Sequence, residues 1–331
     1  MEQRLPSSFN TKRFLTNNSA YLILIGLVVV SSALSPVFFS MQNIMNIFRQ
    51  QSPAMLLALG AMLVIITAGI DLSSGAMLAI SNVFVAYFIT NMYFYTQSGV
   101  FLSIVVGILI GTAFGCVNGL IVTYLKMPSF IVTLATALII RGIAYVITFG
   151  STIRMPVDPT LNKGSYAFFH FGQSGDPLLG VPYAAWIVIA IVIFFWFLMK
   201  YSSYGRILIA TGSNNDAARL AGINVKKYVF SAYAISGILA GTAGVLMTAR
   251  AGIATPSMGD GFELNAIAAV VIGGASLAGG KGKVGNTVVG VFIIALIGNI
   301  MTLMNVPPYP QKIIQGIVII LAVLLNAGKD K

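Results

Sequence analysis

The sequence predicts an all-α, polytopic integral membrane protein of about ten transmembrane helices, and three observations predict it. Of 331 residues, 57% are hydrophobic and only 8% charged, where a soluble domain carries roughly a quarter charged residues. Apolar stretches approaching the ~20 residues a spanning helix needs recur along the whole length, and the mean hydropathy is +0.92. Lysine and arginine sit at the ends of these stretches, where loops flanking spans carry them.

In chain order the expected spans are 21–39, 54–68, 76–90, 100–124, 130–149, 181–199, 228–247, 264–277, 284–304 and 313–325. Segments 54–68 and 264–277 are short, so they are expected to be tilted, broken or only partly inserted. The basic start (Arg4, Lys12, Arg13) before the first run resembles a secretory signal, but the run is long enough to span and an equally apolar chain follows it. The organisation expected is a tail at 1–20, one transmembrane domain at 21–325 and a tail at 326–331.

Ten spans put both termini on one side. With the N-terminus inside, inner segments carry Lys126, Lys200, Arg206, Arg219, Lys226, Lys227, Lys281, Lys283, Lys329 and Lys331 besides the basic start. Outer segments carry only Arg49, Arg154, Lys163, Arg250 and Lys312. That bias places the polar interval 200–227 in the cytoplasm and the long loop 150–180, with His170, outside. It also argues against a nucleic-acid partner despite the net charge of +11, because the cations form no single face or cluster. The one cysteine, Cys116, lies within an apolar run and builds no disulfide framework.

The interval 200–227 has membrane-length apolar runs on both sides. Within it Gly212 and Ser213 break the chain, Asn214 and Asn215 are N-cap types, and Asp216 falls in the first helical turn, where a carboxylate favours the amide dipoles. A short helix, Asp-Ala-Ala-Arg-Leu-Ala, is expected to stop at Gly222 in a left-handed cap. Such a capped surface helix between two spans offers itself to a partner.

Two glycine-broken hairpins, 62–75 and 267–280, share an apolar run, a glycine, a leucine three residues on and a small-residue ending. Interrupted segments in both halves of a transporter point to its pathway; chance likeness in a glycine-rich chain is the other explanation. Gly107, Gly111, Gly115 and Gly119 form a stripe that lets a neighbouring helix approach closely, and Gly237 and Gly241 repeat it. Asp71 is the one acidic residue between two apolar runs with no loop around it. It is expected near the cytoplasmic face, where Asp71 or Ser73 would satisfy the free amides of a helix start. Arg141 begins well inside another run.

The shortage of buried carboxylates argues against a proton- or sodium-coupled carrier, and the lack of a nucleophile with a base argues against an enzyme. The segment 275–283 looks like a phosphate-binding loop but has Ala275 for the first glycine and Gly282 where Ser or Thr must follow the lysine. Energy for uphill transport would have to come from another subunit.

From about residue 22 to 327 the chain resembles the membrane subunits of bacterial ABC importers for monosaccharides, the ribose permease family above all. The segments that carry the likeness are 34–52, 63–80, 128–151, 212–225 and 261–287. The resemblance implies a multi-pass protein of the inner membrane with a fold similar to the cobalamin importer type, working as a homodimer. It implies a cytoplasmic ABC ATPase, which would hold ATP and magnesium while this chain holds no cofactor and no metal, and a soluble binding protein that delivers the sugar. The coupling motif of such importers, Glu-Ala-Ala with a glycine three residues later, stands here as Asp216, Ala217, Ala218 and, one position further on, Gly222. The expected ATPase contact is therefore Asn214, Asn215, Asp216, Ala217, Ala218, Arg219 and Gly222. Asp71, Asn118, Arg141, Glu263 and Asn265 are the candidate pathway residues. Asn265 stands where relatives often carry Asp, and Ser74 where they often carry an apolar residue. Arg154, Asp158 and Lys163 of the outer loop are candidates for the binding protein. A permease for another small polar solute and a stand-alone carrier are the competing functions.

Overall fold

A computed structural model of the chain describes residues 19–93 and 95–327; the basic N-terminal residues Arg4, Lys12 and Arg13, together with Lys329 and Lys331, lie outside the described residues. Helices α1 (Ser19–Leu34), α2 (Met41–Ile66), α3 (Ser74–Asn91), α4 (Gln97–Tyr124) and α5 (Ser129–Thr148) come first. Strand β1 (Ile153–Arg154) and helix α6 (Lys163–Gln173) follow, then α7 (Tyr183–Tyr201), α8 (Ser203–Ser213) and α9 (Asn215–Leu220). The chain continues through α10 (Val225–Ala251), β2 (Ile253–Ala254), α11 (Phe262–Ile272), α12 (Val284–Leu303) and α13 (Pro308–Ala327). Among the described residues, seven helices are long and apolar enough to cross a membrane: α2, α3, α4, α5, α7, α10 and α12. The shorter apolar helices α1 and α11, with α13, cover the remaining expected stretches.

Three expectations are corrected. The short segment 54–68 is the C-terminal part of α2, a helix of 26 residues, about 39 Å long. Its first half is masked in the sequence by Gln42, Asn43, Asn46, Arg49, Gln50 and Gln51, so Arg49 stands in a helix and not in a loop. The outer loop 150–180 contains α6, whose face of Gly164, Ser165, Phe168 and Gly172 is buried. The interval 200–227 holds α8 as well as the short helix. Segment 264–277, by contrast, is short as expected: α11 has 11 residues, about 16 Å, and stops at a turn.

Helices α2, α3 and α10 form the centre, with Leu56, Leu57, Leu59, Met62, Leu63, Met77, Leu78 and Tyr233 almost fully buried. The glycine stripes of α4 and α10 face each other. A Cβ on Gly111 would sit 2.7 Å from the Gly237 carbonyl oxygen and 2.8 Å from Gly241 Cα, so nothing larger than glycine fits. Ends of the bundle are tied by short β pairing, Ile153 with Ala254 and Arg154 with Ile253.

Before α7 the turn is held by Asp176, whose carboxylate accepts from the backbone amides of Leu178 (3.0 Å), Leu179 (2.7 Å) and Val181 (3.0 Å) and from Trp186 Nε1 (3.1 Å). These bonds, that from Leu179 foremost, hold its carboxyl below the usual aspartate range. A depressed folded value means the contribution is present above the unfolded aspartate pKa and is lost as pH falls through the folded one. In a Trp196→Phe background, Trp186 emission is therefore expected to stay constant from neutral pH down to the ordinary aspartate range and to shift only below it. Asp176→Asn should remove that transition.

Candidate functional site

Between α2 and α3 the backbone leaves the helix at Ile66 and re-enters one at Ser74. Helix α2 ends in a left-handed turn, with Ala68 at φ 62 and amide bonds from Ala68 to Ile65 O and Gly69 to Val64 O. The stretch beyond is buried, so each of its polar groups needs a partner within the protein. Side chains of α5 supply two. Ser129 Oγ accepts from the Ile70 amide at 3.1 Å; Thr133 Oγ1 accepts from the Leu72 amide at 3.1 Å and lies 3.2 Å from the Ile70 carbonyl. Asp71 Oδ1 accepts from the Ser73 amide (2.9 Å) and hydroxyl (2.6 Å), its Oδ2 accepts from Ser236 Oγ (2.9 Å), and Asn118 Nδ2 donates to Ser73 Oγ (2.8 Å). Asp71 thus holds the turn before α3, whose N-cap Ser73 makes no side-chain capping bond, and its depth differs from that expected. Ser236 lies near the middle of α10, so the carboxylate sits deep in the bundle and not near an end. The chain folds back inward after Ile66, which local sequence does not reveal.

The other candidate residues fall in two further places. Arg141 Nη1 donates to the carbonyls of Pro256 (2.6 Å) and Met258 (2.8 Å), and Nη2 lies 3.8 Å from Asp260. It therefore clamps the loop after β2, which Asn82 of α3 also holds through Thr255 N and Ile253 O. Glu263, in the first turn of α11, lies against Gly75, and its buried Oε2 has no hydrogen-bond partner.

Asn265 belongs to a different feature, a cavity of about 390 Å³ between α2, α11, α12 and α13. Helix α2 contributes Asn43, Asn46, Gln50 and Gln51 to it, α12 Asn299, and α13 Gln311 and Gln315, with Arg250 on the wall and no carboxylate lining it. Asn43 and Asn299 exchange two hydrogen bonds, 3.1 Å and 2.8 Å.

At the opposite end of α2, three backbones meet. The Gly280 amide donates to Ile66 O at 2.9 Å. A Cβ on Gly212 would strike Ile66 O and lie 2.8 Å from Gly280 N, and one on Gly280 would lie 2.8 Å from Ser213 Cα. Directly beyond this junction comes α9. Asn214 is its N-cap, with Oδ1 accepting from the Ala217 amide at 2.9 Å. Gly222 (φ 80) ends it, with amide bonds from Gly222 to Arg219 O and Ile223 to Ala218 O, the left-handed cap anticipated. Only Ala218 of α9 is buried, and Leu220 is 91% exposed. A second cavity, about 630 Å³, runs from Asn215 and Arg219 to Gly69 and Tyr233 of the broken region.

Residues 43–323 match the family described as branched-chain amino acid transport system / permease component. The chain belongs to that permease family. It is 38% identical over 320 residues to the ribose import permease protein RbsC of Escherichia coli K12, covering 97% of this chain and 96% of the relative. To RbsC of Bacillus subtilis it is 40% identical over 312 residues, 94% and 92% of the two chains. To the D-allose transport system permease protein AlsC of Escherichia coli it is 36% identical over 320 residues, 96% and 94%. No solved structure matches.

In this permease the candidate residues are therefore not one cluster. Asp71 and Asn118 share a network, Arg141 and Glu263 flank the loop after β2, and Asn265 faces the amide cavity. Sequence reasoning missed Ser129, Thr133 and Ser236, and the amides of α2. Two signals were present: Ser129 and Thr133 are four apart on one helical face, and Asn43, Asn46 and Gln50 keep the same face.

Thr133→Val leaves the buried Leu72 amide without an acceptor, a loss of about 1–3 kcal/mol. Thermal unfolding in detergent is expected to start at lower temperature than for Thr136→Val, whose hydroxyl bonds only to Val132 O of its own helix. Equal midpoints would contradict the role given to Thr133.

Proposed function

We propose that this chain is the membrane subunit of an ATP-driven importer that passes a monosaccharide, ribose first, across the bacterial cytoplasmic membrane. The observation that carries the reading is the likeness to two ribose import permeases along nearly the full length of each chain. Two copies form the translocation unit, a cytoplasmic ABC ATPase binds ATP and magnesium beneath it, and a soluble binding protein delivers the sugar on the other side. Both termini face the cytoplasm, as the distribution of lysine and arginine favours.

Helix α9 is the ATPase contact. It is exposed, capped at both ends, and begins two residues after Ser213, whose neighbourhood of Gly212, Gly280 and Ile66 joins it to the end of α2. Nucleotide-driven movement of α9 is passed through that junction to the broken region at Asp71, and the bundle alternates between outward and inward access. The 630 Å³ cavity beside α9 is the exit on the cytoplasmic side. A second reading, in which the solute is another neutral monosaccharide, is favoured by the likeness to the D-allose permease.

Two substitutions test the coupling. Proline cannot adopt φ 80, so Gly222→Pro deforms the end of α9. Asp216→Arg reverses a charge in its first turn; the Asp216–Arg219 pair, 4.0 Å apart and with side chains 91% and 70% exposed, adds little stability. Both variants are expected to insert in normal amounts, lower sugar uptake at least ten-fold and leave ATP hydrolysis running without transport. Unchanged uptake in both would refute the role of α9. Transport by the purified chain in liposomes with no ATPase would refute the importer reading itself.

A further inference from the structure

The amide-lined cavity of α2, α11, α12 and α13 lies apart from the Asp71 network and from α9, and neither the coupling step nor the broken region accounts for it. Its wall combines apolar residues with four asparagines and four glutamines, and carries a single cation, Arg250. Carboxamides in such number are costly to bury unless their donors and acceptors are used. Some are: Asn43 and Asn299 hold each other, Gln311 Nε2 donates to Val306 O (2.8 Å), and Asn46 Oδ1 accepts from Arg49 (3.2 Å). The side-chain amides of Gln50, Gln51, Asn265 and Gln315 have no hydrogen-bond partner among the described residues, although all four line the cavity. They come from three different helices, so four amides without a protein partner, Gln50 exposed and the others half-buried, converge on one open space.

We infer that this cavity is the compartment that holds the solute during passage, and that it is built for a neutral polyhydroxylated molecule. Each carboxamide presents one acceptor and two donor hydrogens without net charge. A sugar hydroxyl also donates and accepts, so every free amide finds a complement in any hydroxyl that faces it. With no carboxylate on the wall, a cationic solute has no counter-charge there, and one arginine amid eight neutral amides makes a poor trap for an anion. The volume falls within the roughly 300–1,000 Å³ of small-molecule sites. Neutral amides that each form one modest bond release the solute readily, which a conduit requires and a receptor does not. On the orientation proposed above, the N-terminal half of α2 and the C-terminal end of α12 both lie in the outer half of the membrane. The cavity therefore opens toward the side from which sugar arrives. This inference rests on the monosaccharide reading and assigns the site for it.

The test uses whole cells that import radiolabelled ribose through this chain and its partners. Asn265→Leu and Gln315→Leu are expected to lower the maximal uptake rate at least five-fold. The amount of chain in the membrane and the sugar concentration at half-maximal uptake should stay the same, because capture belongs to the binding protein. Asn265→Gln, which keeps the amide, should restore part of the rate. In a Cys116→Ser background, a cysteine at position 46 should react with an impermeant maleimide from outside, and saturating ribose should slow that reaction several-fold. A cysteine in place of Leu138, exposed on α5, should show no such protection. Parental uptake in both leucine variants, or labelling at position 46 that ribose leaves unchanged, would overturn the assignment. So would protection by a sugar acid and not by the neutral sugar. If the unsubstituted chain imports no monosaccharide at all, the functional reading fails and the cavity is not at issue.

Discussion

Seven residues of non-helical backbone separate α2 from α3, with Gly69, Asp71 and Ser73 buried among them, and the rest of the architecture is arranged to satisfy them. In hydrocarbon an unpaired amide or carbonyl costs several kcal/mol, and beyond Gly69 the amides of Ile70 and Leu72 have side-chain acceptors in place of a helical ladder. Ser129 and Thr133 from α5, Ser236 from α10 and Asn118 from α4 converge there, with Asp71 as the hub. Three helices must therefore keep fixed positions around one broken one. The facing glycines of α4 and α10 make this possible, because only backbones in near contact bring Asn118 to Ser73 and Ser236 to Asp71 within one small network.

The same logic governs the loop after β2. Arg141 and Asn82 spend their polar groups on main-chain atoms of residues 253–258. An arginine and an asparagine inside spans, which invite a pathway role on sequence grounds, hold irregular backbone in place. The amides around the 390 Å³ cavity behave differently, since half of them have no protein partner. Polar residues within spans thus divide into those bonded to the fold and those with no protein partner among the described residues.

How much could be read from the chain alone depended on how local each cause was. Helix α9 was legible to within one residue at each end, because Asn214, Asp216 and Gly222 act within a few positions of one another. The ten apolar stretches were legible for the same reason. The first half of α2 was not, since Asn43, Asn46 and Gln50 lower its hydropathy while facing a cavity formed by helices more than two hundred residues away. The depth of Asp71 was misjudged because it depends on the chain turning back inward, and Ser129, Thr133 and Ser236 are single hydroxyls in apolar runs that mean nothing until that turn exists. The two glycine-broken hairpins do end their first helices alike. Gly274 and Ala275 bond to Val271 and Val270 as Ala68 and Gly69 bond to Ile65 and Val64. The match is one residue out of the sequence register and the paths beyond it diverge.

The meeting of Gly212, Gly280 and Ile66 is made of main chain against main chain, with no side chain between. A joint of that kind has almost no slack: it conveys displacement without rotamers to absorb it, and its stiffness is indifferent to what decorates the surface nearby. The outward face of α9 is thereby free to drift in composition while the joint behind it keeps its geometry.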